Sequence, residues 1–204
     1  MSRIDAHAHI AADHPDSIAF FRTLNTAVLN VCVAKAPPEE DDGGRALFRS
    51  IAHAYPDRLA WCTTFSPFDL EKPGSMDTIL AQLAANFSAG AVACKLWKNV
   101  GMEIVRSDGR PLLPDDPLLD PVYRWLEQEG HPLLIHAADP PAAWQPPRDD
   151  GRPPSAYLRE NPKWHLHNRR EMPTRAAILS ARDHTLERHP GLTVIPAHLA
   201  SMED

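Results

Sequence analysis

Six short apolar runs, separated by stretches with the period of amphipathic helices, set what this chain can fold into. The runs are Ile4 to His9, Ala27 to Val33, Leu59 to Thr64, Ala91 to Trp97, Pro132 to His136 and Leu192 to His198. Between them, helical spacing is carried by Ser17 to Leu24, Gly44 to Ala54, Met76 to Ser88, Leu118 to Gly130 and Thr174 to His189. Strands alternating with helices pair in parallel through right-handed crossovers, so the pattern predicts an α/β fold. Cys32, Cys62 and Cys94 fall 30 and 32 residues apart, each in a predicted strand, which is the step of one βα unit.

The chain has 204 residues and 22.7 kDa, one domain's worth. At that length roughly 70% of the unfolded surface can be buried, so neither a disulfide nor a structural metal is needed for stability. With 21 basic against 27 acidic residues and a net charge of −6, the chain lacks the cationic excess of a nucleic-acid binder. No apolar run approaches the roughly 20 residues of a membrane span, and no signal-peptide pattern precedes Ile4. Three widely spaced cysteines read as buried free thiols in a reducing, cytoplasmic setting. The acids Glu39 to Asp42, between Pro37 and Gly44, read as a solvated loop. A small molecule is the partner this composition leaves, and a homo-oligomer stays open.

Two connections exceed the usual length of roughly two to six residues. Lys98 to Pro117 carries Gly101, Gly109 and the pair Asp115 and Asp116; Ala137 to Pro173 carries eight prolines, Trp144, Trp164, His165 and His167. Both follow the C-terminal ends of strands, the face where βα barrels do chemistry. They are lid or substrate-wall candidates, against the alternative of a Pro-rich surface.

Eleven histidines need a reason. His7 and His9 alternate on the first run, so both rings point one way and supply half a metal site. His136 and His198 each end another run. One such histidine could be a core residue with a hydrogen bond; four at three strand ends are hard to assign to packing, because buried imidazoles are costly unless a cation or a network uses them. Trp97, ending the fourth run, and the loop residues Glu103, Trp144, His165 and His167 are weaker candidates for a substrate wall. No nucleophile elbow, phosphate-cradling glycine loop or Cys-x-x-Cys pair occurs, which removes serine hydrolase, nucleotide and thiol-redox readings.

These residues make the chain resemble the amidohydrolase superfamily, in the amidohydrolase-related branch of metal-dependent hydrolases and aminocarboxymuconate semialdehyde decarboxylase-like enzymes. The resemblance rests on Ile4 to His9, GAVACKLWKNVGME from Gly90 to Glu103, PLLIHAADP from Pro132 to Pro140, Trp164 to Pro173, and Ala181 to Ser201. It implies a TIM-type (β/α) barrel over 1–204 with a divalent ion, zinc ahead of manganese, on His7, His9 and His136. His198 then stands beside the metal as the catalytic group that polarises the substrate or handles protons. Lys95 matches either the carboxylated lysine that bridges two metals in binuclear relatives or, as the favoured reading, a lysine in an ion pair or on a substrate carboxylate. The family barrel has eight strands and ends its last one with a metal-binding aspartate that acts as general base. Only six runs are present, and Glu203 and Asp204 do not match that aspartate, so the expectation is a truncated chain lacking two βα units. With the aspartate restored, the resemblance implies hydrolysis of an amide, ester or lactone by a metal-activated water. Decarboxylation on the same site is the alternative, and an inactive metal-binding domain is the alternative of another class.

Overall fold

A computed structural model describes residues 3–37, 42–148 and 153–202. The acidic segment Glu39 to Asp41 and the terminal Glu203 and Asp204 lie outside the described residues.

Six parallel strands form one sheet in the order of the sequence: β1 (Arg3–Ala8), β2 (Thr26–Val31), β3 (Leu59–Thr64), β4 (Ala91–Leu96), β5 (Leu133–Ile135) and β6 (Val194–Pro196). The helices are α1 (Pro15–Thr23), α2 (Asp42–Ala54), α3 (Ser75–Ser88), the single turn α4 (Asn99–Met102), α5 (Asp120–Glu129), α6 (Pro153–Glu160) and α7 (Arg175–Arg188). Every apolar run of the sequence holds a strand, and every stretch of helical period holds a helix. The runs overshoot at their C-terminal ends, where Cys32, His136 and His198 have already left the ladder.

The sheet curls. Five inter-strand steps at about 4.8 Å would hold β1 and β6 roughly 24 Å apart if flat, yet the rings of His7 and His198 lie 4.8 Å apart. This is an open (β/α) barrel of six strands. Strand alternation sorts the side chains: Leu29, Val31, Cys62, Ala93 and Leu134 form a small cluster inside the curl. Larger neighbours such as Val28, Trp61, Leu133 and Ile135 face the helices. Among the described residues the first and sixth strands each pair on one side only, and Ile4 of β1 is largely exposed. All three cysteines are buried, and none is in a disulfide. No helix among the described residues is long and apolar enough to cross a membrane.

The long connections are structured. After β4, Val105 bridges Pro111, and the Gly101 N–H donates to the Leu112 carbonyl at 2.7 Å. Gly101 sits at φ 99, with the Ile178 side chain 3.1 Å from where a Cβ would be. After β5, the chain folds into α6 and two short 3-10 turns, Pro141–Trp144 and Pro162–Trp164. The prolines begin these turns, where a missing N–H costs nothing.

Candidate metal centre

Four imidazoles meet at the C-terminal mouth of the curled sheet. His7 lies on β1, His9 just beyond it, His136 directly after β5 and His198 two residues past β6. The His7 ring centre is 5.0 Å from that of His9, 6.4 Å from His136 and 4.8 Å from His198; His136 and His198 are 4.5 Å apart.

Local bonds set each ring. The chain leaving β1 is clamped by Asn30 of β2, whose Oδ1 accepts from the Ile10 N–H at 2.7 Å while Nδ2 donates to the Ile10 carbonyl at 3.1 Å. His9 Nδ1 lies 2.6 Å from the Val31 carbonyl. A carbonyl only accepts, so Nδ1 carries the proton and Nε2 keeps its lone pair. His136 Nε2 faces Asp139 Oδ1 at 3.4 Å, which leaves Nδ1 as its donor atom. His198 opens a left-handed run, with φ 49 at His198 and Leu199, 62 at Ala200 and 56 at Ser201. Such backbone is unfavourable without glycine. Here Arg175 donates to the Ser201 carbonyl, Arg182 donates to the Ala200 carbonyl, and Ser201 Oγ accepts from the Ala138 N–H. Two arginines of α7 thus fix the segment that presents His198.

Burial, then the Lys95 charge and the other histidines, push His7 down to about 3. Burial likewise takes His136 down to about 4, against the pull of Asp139, and lowers His9. All three rings are therefore neutral at pH 7, the form that can ligate a metal. Lys95 is fully buried inside the curl, desolvation drives it down to about 7, and its Nζ lies 3.2 Å from His7 Nε2. No carboxylate pairs with it among the described residues, so the lysine of the sequence pattern points at the histidines.

The donor set fits a divalent ion in chemistry and in spacing. With a metal–nitrogen bond of about 2.1 Å, two rings on one ion have centres about 4.6–6.5 Å apart; His7–His9 at 5.0 Å and His7–His136 at 6.4 Å fall within that range. As placed, no three His, Cys, Asp or Glu side chains among the described residues converge to chelate an ion.

Beside His9 opens a cavity of about 460 Å³ walled by Cys32, Val33, Leu47, Phe48 and Trp97, with Lys35 as its cation. Trp97 thus joins the histidines. The other loop candidates do not. Glu103 pairs with Lys163 at 2.7 Å. Trp144 Nε1 donates to the Pro173 carbonyl at 3.0 Å. His165 and His167 donate to the carbonyls of Gln145 and Trp144 and so staple the loop after β5.

Sequence reasoning passed over a buried ion pair. Lys98 Nζ lies 2.5 Å from Asp139 Oδ2, is within 3.1 Å of the Tyr157 hydroxyl and sits 4.2 Å over the Trp164 ring. The pair ties the loops after β4 and β5 together and places Asp139 behind His136. Its signal was adjacency alone: Lys98 follows Trp97, and Asp139 lies three residues after His136. Asp139→Asn strands the Lys98 charge in the interior, and about 3–5 kcal/mol of stability should be lost in urea unfolding. A loss below about 1 kcal/mol, the scale of an exposed pair, would show that the interior does not hold this charge dry.

No protein-family model matches the chain, and none of the curated proteins matches it. Solved structures do. The chain resembles 2,6-dihydroxybenzoate decarboxylase in complex with 2,6-dihydroxybenzoate, with TM-score 0.63, 15% identity, 98% of this chain and 67% of that one. An amidohydrolase II gives 0.52 at 18% identity over 95% of this chain. The chain shares the (β/α)-barrel fold of these structures. A TIM-barrel protein from Bordetella bronchiseptica agrees, with TM-score 0.51, 18% identity, and coverage of 95% of this chain and 66% of that one. The chain spans 65% of the length of the amidohydrolase II it matches.

Proposed function

We propose that the chain belongs to the amidohydrolase-related enzymes and carries the metal-binding part of a hydrolase acting on an amide, ester or lactone of a small molecule. The observation that supports this most is the meeting of four strand-end imidazoles at one barrel mouth, three of them held neutral. His7, His9 and His136 would hold a divalent cation, zinc before manganese. When bound, that cation supplies Lewis acidity toward a carbonyl oxygen and toward water. His198, fixed by the α7 arginines, holds or moves a proton at the reacting carbonyl. Trp97, Phe48 and Leu47 exclude water from the substrate, and Lys35 orients a negative group on it.

The likeness in fold to 2,6-dihydroxybenzoate decarboxylase also supports a second reading, loss of carbon dioxide from a small acid, whose carboxylate would enter the cavity lined by His9 and Lys35. Product analysis separates the two. The metal-supplemented chain is given esters, lactones, amides and small aromatic acids. Carboxylate plus alcohol or amine supports hydrolysis; carbon dioxide without hydrolysis replaces it with decarboxylation. Metal loading without turnover on any substrate leaves a metal-binding domain that is not an enzyme by itself.

A further inference from the structure

The buried Lys98–Asp139 pair does more than tie two loops together, because it stands directly behind a histidine of the metal centre. Both side chains are almost fully buried, and each carboxylate oxygen has its own partner. Oδ2 takes the Lys98 ammonium at 2.5 Å, and Oδ1 faces His136 Nε2 at 3.4 Å. The backbone around the carboxylate is pinned as well. The Asp139 N–H donates to Met102 Sδ at 3.4 Å, its carbonyl accepts from Arg175 Nε at 3.3 Å, and the Ala138 N–H donates to Ser201 Oγ at 3.3 Å. Lys98 is placed as firmly, with Nζ 3.1 Å from the Tyr157 hydroxyl and 4.2 Å over the Trp164 ring.

A neutral imidazole carries its proton on one nitrogen and can ligate a metal only through the other. Two histidines of the centre are fixed by different means. His9 gives its proton to the Val31 carbonyl, a backbone acceptor. His136 gives its proton to a side chain, and that side chain accepts on both sides only while it is a carboxylate. Lys98 tightens the constraint. An ammonium only donates, so whatever stands at position 139 must turn an acceptor toward it. With aspartate, both oxygens accept, and His136 keeps its proton on Nε2 and its lone pair on Nδ1. With asparagine, the single oxygen goes to Lys98, the amide NH₂ turns to His136 Nε2, and the ring proton is forced onto Nδ1.

We propose that Lys98 and Asp139 are positioning residues that set the tautomer of His136, keeping its proton on Nε2 and its Nδ1 lone pair free for a cation. The assignment of the proton rests on this geometry alone; its consequence for a cation rests on the metal-centre reading. Nitrogen-15 NMR of the full chain, without metal and at pH 7, reads the tautomer, with the His136 signals assigned by their loss in His136→Gln. The wild type should show Nε2 protonated. Asp139→Asn should move the proton to Nδ1 and weaken zinc binding in equilibrium dialysis by about 10-fold or more, the scale of losing the partner behind a ligating histidine. Adding Lys98→Met to Asp139→Asn removes the interior charge and frees the amide to turn, so the Nε2 proton and the zinc affinity should return toward wild type. If Asp139→Asn alone does not fold, the wild type and the double variant still decide. A wild-type proton on Nδ1 overturns the proposal. So does Nε2–H retained in Asp139→Asn, or zinc binding lost equally in the single and double variants, the mark of a merely structural pair. A wild type with Nε2–H that takes up no zinc tightly upholds the assignment of the proton and overturns its consequence for a cation together with the metal-centre reading.

Discussion

Replacing His7 and His9 together by alanine is expected to remove tight divalent-metal binding, while replacing His165 and His167 should leave it largely intact. Both pairs have the His-x-His spacing, so sequence distance does not separate them. Their surroundings do. His7 and His9 bring ring centres 5.0 Å apart from one clamped strand end, and two further imidazoles face them. His9 has its Nδ1 proton committed to a carbonyl and its Nε2 lone pair left for a cation. His165 and His167 spend ring nitrogens on loop carbonyls, and their centres are 6.2 Å apart with no third histidine beside them among the described residues. A site stripped of two of its three strongest donors holds zinc far more weakly, since each imidazole is one of about four ligands. Equilibrium dialysis followed by elemental analysis measures this. Equal metal loss from both double variants would show that the pair was wrongly chosen or is only half of the site.

Strand alternation explains why so much of this centre was legible. A period of two on a strand leaves little freedom, so the shared face of His7 and His9 followed from counting. His136 and His198 followed from ending apolar runs. What was not legible is what lies between elements in space. The Lys98–Asp139 pair joins residues from two loops 41 positions apart. Asn30 looks like a polar blemish in an apolar run until its side chain is seen closing on both polar atoms of Ile10. The left-handed turn at His198 has no glycine to announce it and depends on arginines contributed by α7. Lys95 is a different case, singled out by the pattern without its neighbour being readable. Of the favoured reading, an ion pair or a substrate carboxylate, the described residues show no ion pair, and its Nζ lies 3.2 Å from an imidazole.

His198→Asn should spare metal occupancy and lower turnover by roughly 10²-fold or more, the scale of losing a positioned proton-handling or electrostatic group. His7, His9 and His136 supply three neutral rings, as many protein donors as an open catalytic zinc site takes from its chain. His198 is the fourth ring, 4.5 Å from His136 and 4.8 Å from His7, on a segment held by its own arginines rather than by a strand. Asparagine is the right probe because it is among the few residues that tolerate left-handed backbone, so the φ of 49 at this position survives the change. It is also polar, which keeps water at the mouth, but it neither holds nor moves a proton at neutral pH. Two metals would alter the outcome, because His198 could then ligate the second ion with Lys95, carboxylated, as the bridge; the amine already lies 3.2 Å from His7 Nε2. Metal content decides between them. About one ion per chain in both wild type and variant, with turnover lost, supports a proton-handling His198; a fall from two ions to one would sink it.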